Sequence, residues 1–144
     1  MPRKLDWIID TIIPGFATKD GQPWLSFGVM GGDMQPQGQA QIIINRADYG
    51  LDAQAAGDSP RWHHEGSSEQ MGEDDKSVGG SGLLRLESGV PEATARALAE
   101  MGWRIGASDG GFGRYSSVER RESGGQLVYA AASEPRADGI GLAY

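Results

Sequence analysis

The first apolar positions of the chain form two runs separated by a turn signal. Residues 12–18 and 24–30 are mostly apolar, and they flank Lys19-Asp20-Gly21. Because glycine supplies the positive φ of a tight turn, this pattern predicts a β-hairpin. Apolar residues occur at both odd and even positions of the second run. The run therefore predicts a strand buried between two layers.

A helix pattern follows directly after a pair of glycines. Gly31-Gly32 ends the strand, and Asp33 is the predicted N-cap. One apolar face is predicted at helical spacing, formed by Ala40, Ile43, Ile44, Ala47 and Leu51. The opposite face is predicted to be polar, with Gln37, Gln41, Asn45 and Asp48. The four glutamines at positions 35, 37, 39 and 41 are expected to scatter around the helix as polar surface.

The rest of the chain alternates short helical and extended patterns. Helical patterns cover residues 52–58 and 91–101, the second with an apolar face at Thr94, Ala97, Leu98 and Met101. Strand patterns cover residues 61–64, 83–87, 103–107, 115–120 and 127–133, and Ser123-Gly124-Gly125 predicts a hairpin between the last two. Residues 65–82 contain almost no apolar residues and are predicted to be a mobile surface loop. Together these patterns predict a mixed α+β domain.

Composition narrows the classes of partner. A length of 144 residues favours a single domain with its own core. The net charge of −7 argues against nucleic acid as a partner. No apolar run approaches the roughly 20 residues of a membrane span, so no membrane partner is expected. The apolar stretch within residues 1–10 is too short and too charged for an export signal, so none is expected there, and cytoplasm and periplasm both stay open as locations.

Candidate cofactor chemistry is sparse. The chain has no cysteine, and His63-His64 lacks a third ligand at zinc spacing, so no metal and no other cofactor is predicted. The pair Gly31-Gly32 is the more suggestive feature. Two glycines allow close backbone approach, and the first amides of a helix point outward and can stabilise an oxyanion. A tight turn without function explains the same local pattern.

Several segments in order resemble one enzyme family. They read TIIPGF at 11–16, KDG at 19–21, FGVMGGDMQPQG at 27–38, DYGLD at 48–52, DSPRWH at 58–63, LESG at 86–89, SEPR at 133–136 and DG at 138–139, with a terminal Tyr144. In their order and spacing they resemble the carboxy-terminal part of the small subunit of gamma-glutamyltransferases. The resemblance covers residues 11–144, whereas residues 1–10 match the family poorly and form an amino-terminal extension.

The resemblance implies a fold and a chemistry. The fold is the four-layer αββα sandwich of N-terminal-nucleophile hydrolases. In that family a precursor cuts itself, and the exposed threonine attacks a gamma-glutamyl amide with its own α-amine as base. The acyl group then passes to water or to an amino acid. Gly31 and Gly32 match the paired glycines that supply oxyanion-hole amides. Asp10 and Thr11 fall where two serines of the family bind the substrate carboxylate.

The sequence also departs from the family pattern in one respect. The threonines are Thr11, Thr18 and Thr94, and none precedes a histidine as the family nucleophile usually does. The nucleophile is therefore expected upstream of this chain, which would be inactive alone toward a gamma-glutamyl or related amide substrate. The alternative is a non-catalytic, standalone binding or assembly module. In the family fold, the central sheets also contain strands from segments outside this chain. Because the strands present here would then have unpaired edges, the chain is predicted to form a homo-oligomer.

Overall fold

The computed structural model describes residues 13–65, 82–106 and 110–142. The elements follow in the order β1 Gly15–Lys19, β2 Gln22–Met30, α1 Met34–Ala47, α2 Ala53–Asp58, β3 Trp62–Glu65, β4 Leu83–Leu86, α3 Glu92–Glu100, β5 Ile105–Gly106, β6 Arg114–Ser123 and β7 Gln126–Ser133. The predicted α+β class is confirmed. The predicted loop at 65–82 lies almost wholly outside the described residues.

A four-stranded antiparallel sheet with the order β1-β2-β6-β7 forms the larger layer. Both predicted hairpins are confirmed. Asp20 and Gly21 join β1 to β2 with φ values of 52° and 74°, and Gly124 and Gly125 join β6 to β7 with 59° and 77°. Positive φ at both central residues matches the turn twist to the strand twist, which explains the two-residue connections.

A smaller sheet has the order β3-β4-β5. β3 and β4 pair antiparallel, whereas β4 and β5 pair parallel. Helix α3 connects the two parallel strands, as a parallel pair requires a crossover. None of the residues of α3 is fully buried, and of the predicted apolar face only Ala97 and Leu98 are partly buried, whereas Thr94 and Met101 are exposed.

The core lies on one face of the larger sheet. Leu25, Phe27 and Val29 alternate along β2 and pack with Tyr115 and Ala132 of the neighbouring strands. Ile42 of α1 and Ala53 of α2 cover them. The prediction that β2 is buried on both faces is wrong for this chain, because the intervening residues Ser26 and Met30 are exposed.

Trp24 departs from the alternation of β2. The register between β1 and β2 shifts there, since Ala17 pairs with Leu25 and Thr18 pairs with Pro23. Trp24 is the extra residue of this β-bulge, which turns its side chain toward the core face. Its indole N–H donates to Glu119, and the Arg46 guanidinium lies 5.3 Å from the ring centroid.

Helix α1 buries a different face from the one that apolar spacing predicts. Its buried residues are Met34, Gln35, Gly38, Gln41, Ile42 and Arg46, while Ile44 is 42% exposed. Gly38 explains part of the difference, because a Cβ there would lie 2.7 Å from Val29 Cγ1, so only glycine lets the helix approach β2 so closely. Asp33 occupies the N-cap position as predicted, but its side chain makes no capping hydrogen bond.

The burial of glutamines on α1 has a specific cause. Gln41 accepts from the Trp62 amide at 3.0 Å and donates to the Trp62 carbonyl at 2.9 Å. Gln37 does the same for His64, at 2.8 and 3.0 Å. A step of four residues along a helix rises about 6 Å, and a step of two along a strand rises about 6.7 Å. The two side-chain amides therefore replace a neighbouring strand at the edge of β3.

A second glutamine pair acts on the chain before β1. Gln35 accepts from the amide of Ile13 at 3.2 Å, and Gln39 donates to the Ile13 carbonyl. The prediction that these four glutamines are polar surface is wrong. Gln35 and Gln39 are four residues apart, and so are Gln37 and Gln41. The two members of each pair therefore lie on the same side of the helix and form hydrogen bonds with one backbone segment.

The face of the larger sheet opposite the helices carries several apolar side chains that are exposed in the described part of the chain. Strand pairing places Phe16, Val118, Leu127, Tyr129 and Met30 on this side. Phe16 and Tyr129 are each 65% exposed. We call these five residues the open face. No helix among the described residues combines the length and the apolar character that crossing a bilayer would require.

Replacing Gln41 with leucine (Q41L) is expected to destabilise the chain by about 2 kcal/mol. The substitution leaves the Trp62 amide and carbonyl without their partners, and a buried unpaired group costs about 1–3 kcal/mol. Thermal unfolding followed by circular dichroism measures the change. Q126L makes the same substitution at an exposed position of β7 and is expected to melt like the parent chain. Equal melting of Q41L and the parent would contradict the role given to Gln41.

The open face is expected to make the 144-residue chain self-associate and bind a hydrophobic dye. Exposed apolar patches beyond a few hundred Å² recruit partners. V118K places a charge within the open face and is expected to weaken both effects, measured by light scattering and dye fluorescence. I44K is the matched control, because Ile44 on α1 is similarly exposed at 42% against 45% for Val118. A parent chain that stays monomeric at high concentration without binding dye would overturn this expectation.

Candidate functional site

The two candidate glycines lie between β2 and α1, as the sequence predicts. Gly31 has a φ of 142° and Gly32 a φ of 55°, a backbone course that side-chain-bearing residues rarely adopt. Their carbonyls accept the first bonds of the helix, from Met34 at 3.1 Å and Gln35 at 2.9 Å. No described residue accepts a hydrogen bond from either glycine amide.

Close backbone contact explains the requirement for glycine at position 31. A Cβ on Gly31 would lie 3.0 Å from the Cα of Gly113, which precedes β6. A Cβ on Gly113 would in turn lie 2.8 Å from the Met30 carbonyl oxygen. The end of β2 and the start of β6 therefore touch through two residues that have no side chain.

A cleft of about 570 Å³ opens at this contact. Its lining residues are Met30, Gly31, Glu87, Gly110, Gly111, Phe112, Gly113, Arg114 and Arg136. Gly31 thus lines the cleft, whereas Gly32 is absent from the lining, and the oxyanion-hole role of the pair stays a prediction. Asp10 and Thr11, the predicted substrate-binding residues, lie outside the described residues.

The buried side chain of Arg61 binds the loop of residues 110–113, which forms one wall of the cleft. Its guanidinium donates to the Phe112 carbonyl at 2.8 Å and to the Gly57 carbonyl at 3.2 Å. It also forms an ion pair at 3.0 Å with Glu134, whose side chain is fully buried. Burial lowers the pKa of Arg61, and the negative charge of Glu134 opposes that shift. A buried cation with these partners fixes the loop in place.

Arg136 and Glu87 continue this network to the cleft surface. Arg136 donates to both carboxylate oxygens of Glu87, at 2.6 and 2.5 Å, and it also contacts Glu134. The hydrogen bonds that Arg136 donates to Glu87 raise the pKa of Arg136, so that it stays charged. For Glu87, burial opposes ionisation, but hydrogen bonds from Arg136 and from the Arg61 amide outweigh it and lower the pKa. We call Arg61, Glu87, Glu134 and Arg136 the ionic network.

Sequence patterns alone do not assign roles to the ionic network. Its members lie within segments that carry the family resemblance, but up to 75 residues separate them along the chain, from Arg61 to Arg136. The signal available in the sequence is that each lies at one end of a predicted strand or shortly after it: Arg61 begins residues 61–64, Glu87 ends residues 83–87, and Glu134 and Arg136 follow residues 127–133. Across the described ranges, no group of three potential metal-binding side chains occurs.

Comparisons with known proteins match this architecture. The family model of gamma-glutamyltranspeptidase matches residues 8–144. The glutathione hydrolase-like YwrD proenzyme of Bacillus subtilis is 30% identical, and the match covers 98% of this chain and 25% of that protein. The chain thus spans about a quarter of the length of this curated relative, and less of two others.

Solved structures show the same fold. The gamma-glutamyltranspeptidase of Pseudomonas nitroreducens complexed with L-DON superposes with a TM-score of 0.72 at 22% identity, covering 99% of this chain and 67% of that one. A cephalosporin acylase from Bacillus halodurans superposes with a TM-score of 0.70 at 38% identity, covering 88% of this chain and 21% of that one. The predicted N-terminal-nucleophile hydrolase fold is confirmed.

Neutralising Glu87 is expected to remove a pH-dependent part of the stability. Because its folded-state pKa is lowered from 4.5, Glu87 stabilises the fold above about pH 4.5, and this stabilisation is lost as the pH falls through the folded-state pKa. E87Q should cost about 2 kcal/mol at pH 7, the value of charge-assisted hydrogen bonds, and less at pH 3. Urea unfolding at both pH values measures the difference.

The control for this experiment is E92Q. Glu92 lies in an exposed pair with Arg96, 4.0 Å apart on α3, and its side chain is 84% exposed. Exposed pairs contribute little to stability. E92Q should therefore match the parent at both pH values. A stability deficit of E87Q that is the same at pH 3 and at pH 7 would show that Glu87 acts through packing and not through its charge.

Proposed function

Because the chain belongs to the gamma-glutamyltranspeptidase family, we propose that it supplies the oxyanion-stabilising part of an amide hydrolase or acyltransferase acting on gamma-glutamyl compounds. The observation that carries the proposal is the position of Gly31. It ends β2, lines the cleft and keeps an amide that no described residue uses. In this proposal the amides of Gly31 and Gly32 bind the oxygen that becomes negative when the amide carbonyl is attacked.

The geometry supports this role physically. The glycine amides precede the first turn of α1, where unpaired N–H groups carry a partial positive charge. The contact between Gly31 and Gly113, together with the hold of Arg61 on Phe112, keeps this backbone from relaxing. Donors that are fixed before the charge develops stabilise the transition state without reorganisation, which makes this the largest contribution in many enzymes.

The attacking group in this proposal is a threonine upstream of the 144 residues. Its hydroxyl attacks the amide carbonyl carbon while its α-amine takes the proton, and the amine leaving group departs with a proton. The resulting ester then passes its acyl group to water or to an amino acid. The chain spans 25% of the length of the YwrD relative, which leaves room for such a segment.

The substrate class rests on the relatives and on the predicted carboxylate site. Two curated relatives are named glutathione hydrolase proenzymes, and one structural relative is a cephalosporin acylase. A gamma-glutamyl or related amide is therefore the proposed substrate. Asp10 and Thr11 stay the predicted contacts for its carboxylate, and protonation of Asp10 would be needed for attraction.

The test replaces Gly31 with alanine in the complete product of the gene. The new Cβ meets Gly113 at 3.0 Å, so the junction must shift and its amides must move. Removing one oxyanion donor lowers kcat by about 10²- to 10³-fold, and we expect G31A to lose about 10²-fold in kcat with little change in KM. Release of nitroaniline from gamma-glutamyl-4-nitroanilide measures both constants.

G21A is the matched control. Gly21 also has a positive φ, of 74°, and no atom lies within 4 Å of a Cβ there, but it lies in the β1–β2 turn. G21A should keep the parent kcat. The 144-residue chain alone is expected to be inactive. Turnover by that chain that depends on one of its own threonines would overturn the upstream nucleophile, and parent-like kcat of G31A would overturn the oxyanion role.

A further inference from the structure

Among the described residues that line the cleft, three carry a charge, and two of these, Glu87 and Arg136, form an ion pair. Glu87 and Arg136 form a two-point ion pair, and Arg136 additionally contacts Glu134 and the Ser59 carbonyl at 3.0 Å. Glu87 also accepts a hydrogen bond from the backbone amide of Arg61 at 2.8 Å. These donors and acceptors are used within the protein, so neither residue offers its charge to a ligand.

Arg114 differs from both of them. It lines the cleft, it is exposed, and no described residue forms an ion pair or hydrogen bond with its guanidinium. It is the first residue of β6 and pairs with Met30, the last residue of β2. Paired residues in antiparallel strands have Cα atoms about 5 Å apart, so Arg114 begins one residue from Gly31 and very near it.

The surrounding backbone leaves space for a ligand next to Arg114. Gly110, Gly111 and Gly113 have φ values of 90°, 80° and 77°, and none carries a side chain to occupy the cleft. Phe112 is 4% exposed, so its ring is directed into the protein. Of the three charged residues in the described lining, Arg114 is thus the one without a described partner, and it lies beside a glycine-walled space.

We propose that Arg114 binds a carboxylate of the amide substrate and so determines specificity for anionic substrates. The inference rests on the proposed function, because the carbonyl oxygen of that amide would point toward Gly31. A guanidinium presents parallel N–H donors that match the two oxygens of a carboxylate. The carboxylate belongs to the acyl group or to the leaving amine, and both lie close to the carbonyl carbon.

Kinetics of R114A in the complete gene product test this inference with two pairs of substrates. For the leaving amine, gamma-glutamyl-3-carboxy-4-nitroanilide is compared with gamma-glutamyl-4-nitroanilide. For the acyl group, gamma-glutamyl-4-nitroanilide is compared with its α-carboxamide analogue. Within each pair the two substrates differ by one carboxylate. We expect R114A to lose about 10- to 100-fold in kcat/KM, mainly through KM, on the substrate of one pair that has this carboxylate, and to leave the substrate that lacks it nearly unchanged.

Two further variants separate charge recognition from structural damage. R114K keeps the charge without the paired donors and should retain part of the discrimination. R120A removes an arginine from the same strand and the same sheet face, six residues or about 20 Å farther along β6, and should change neither pair.

The possible outcomes are distinguishable. A selective loss within either pair supports the inference and identifies which carboxylate Arg114 binds. Equal losses on both members of each pair, or no loss at all, overturn the inference and leave the proposed function standing. No turnover of any substrate by the parent protein overturns the proposed function and this inference together.

Discussion

The ionic network is the constraint on which the arrangement of the cleft depends. Arg61 and Glu134 are buried side chains of opposite charge, and removing Glu134 would leave the buried Arg61 without its ion-pair partner. Their bonds reach the carbonyls of Gly57 and Phe112, and through Arg136 they reach Glu87. The network therefore ties together the end of α2, the start of β3, the end of β4, the loop before β6 and the end of β7. The same ionic network thus connects the two sheets with the loop that lines the cleft.

The parts of the fold that sequence predicts well are those encoded locally. Asp20-Gly21 and Gly124-Gly125 determine their hairpins because the required positive φ values depend on two adjacent residues. The buried face of α1 is not encoded locally. Gln41 and Arg46 are buried because Trp62 and Glu119 supply their hydrogen-bond partners, and both lie far away in the sequence. A pattern of apolar spacing contains no information about such partners.

The candidate site divides in the same way. The glycine pair was predictable because a strand, two glycines and a helix follow one another directly, and a family resemblance adds a chemistry to them. The position of Arg114 beside Gly31 was not predictable, since it depends on the pairing of Arg114 with Met30, 84 residues earlier in the chain. What a strand pairing brings together becomes visible only in three dimensions. Arg136 shows the complementary case: a charge next to the cleft that the fold has already neutralised.

The glutamine pairs of α1 have a consequence for how this sequence can change over time. Each pair works because its two members lie one helical turn apart and face the same backbone segment. Inserting or deleting a single residue between positions 35 and 41 would rotate the later members by about 100° and direct their amides away from β3. Homologous chains that keep this edge should therefore vary in length before or after this stretch and conserve the number of residues within it.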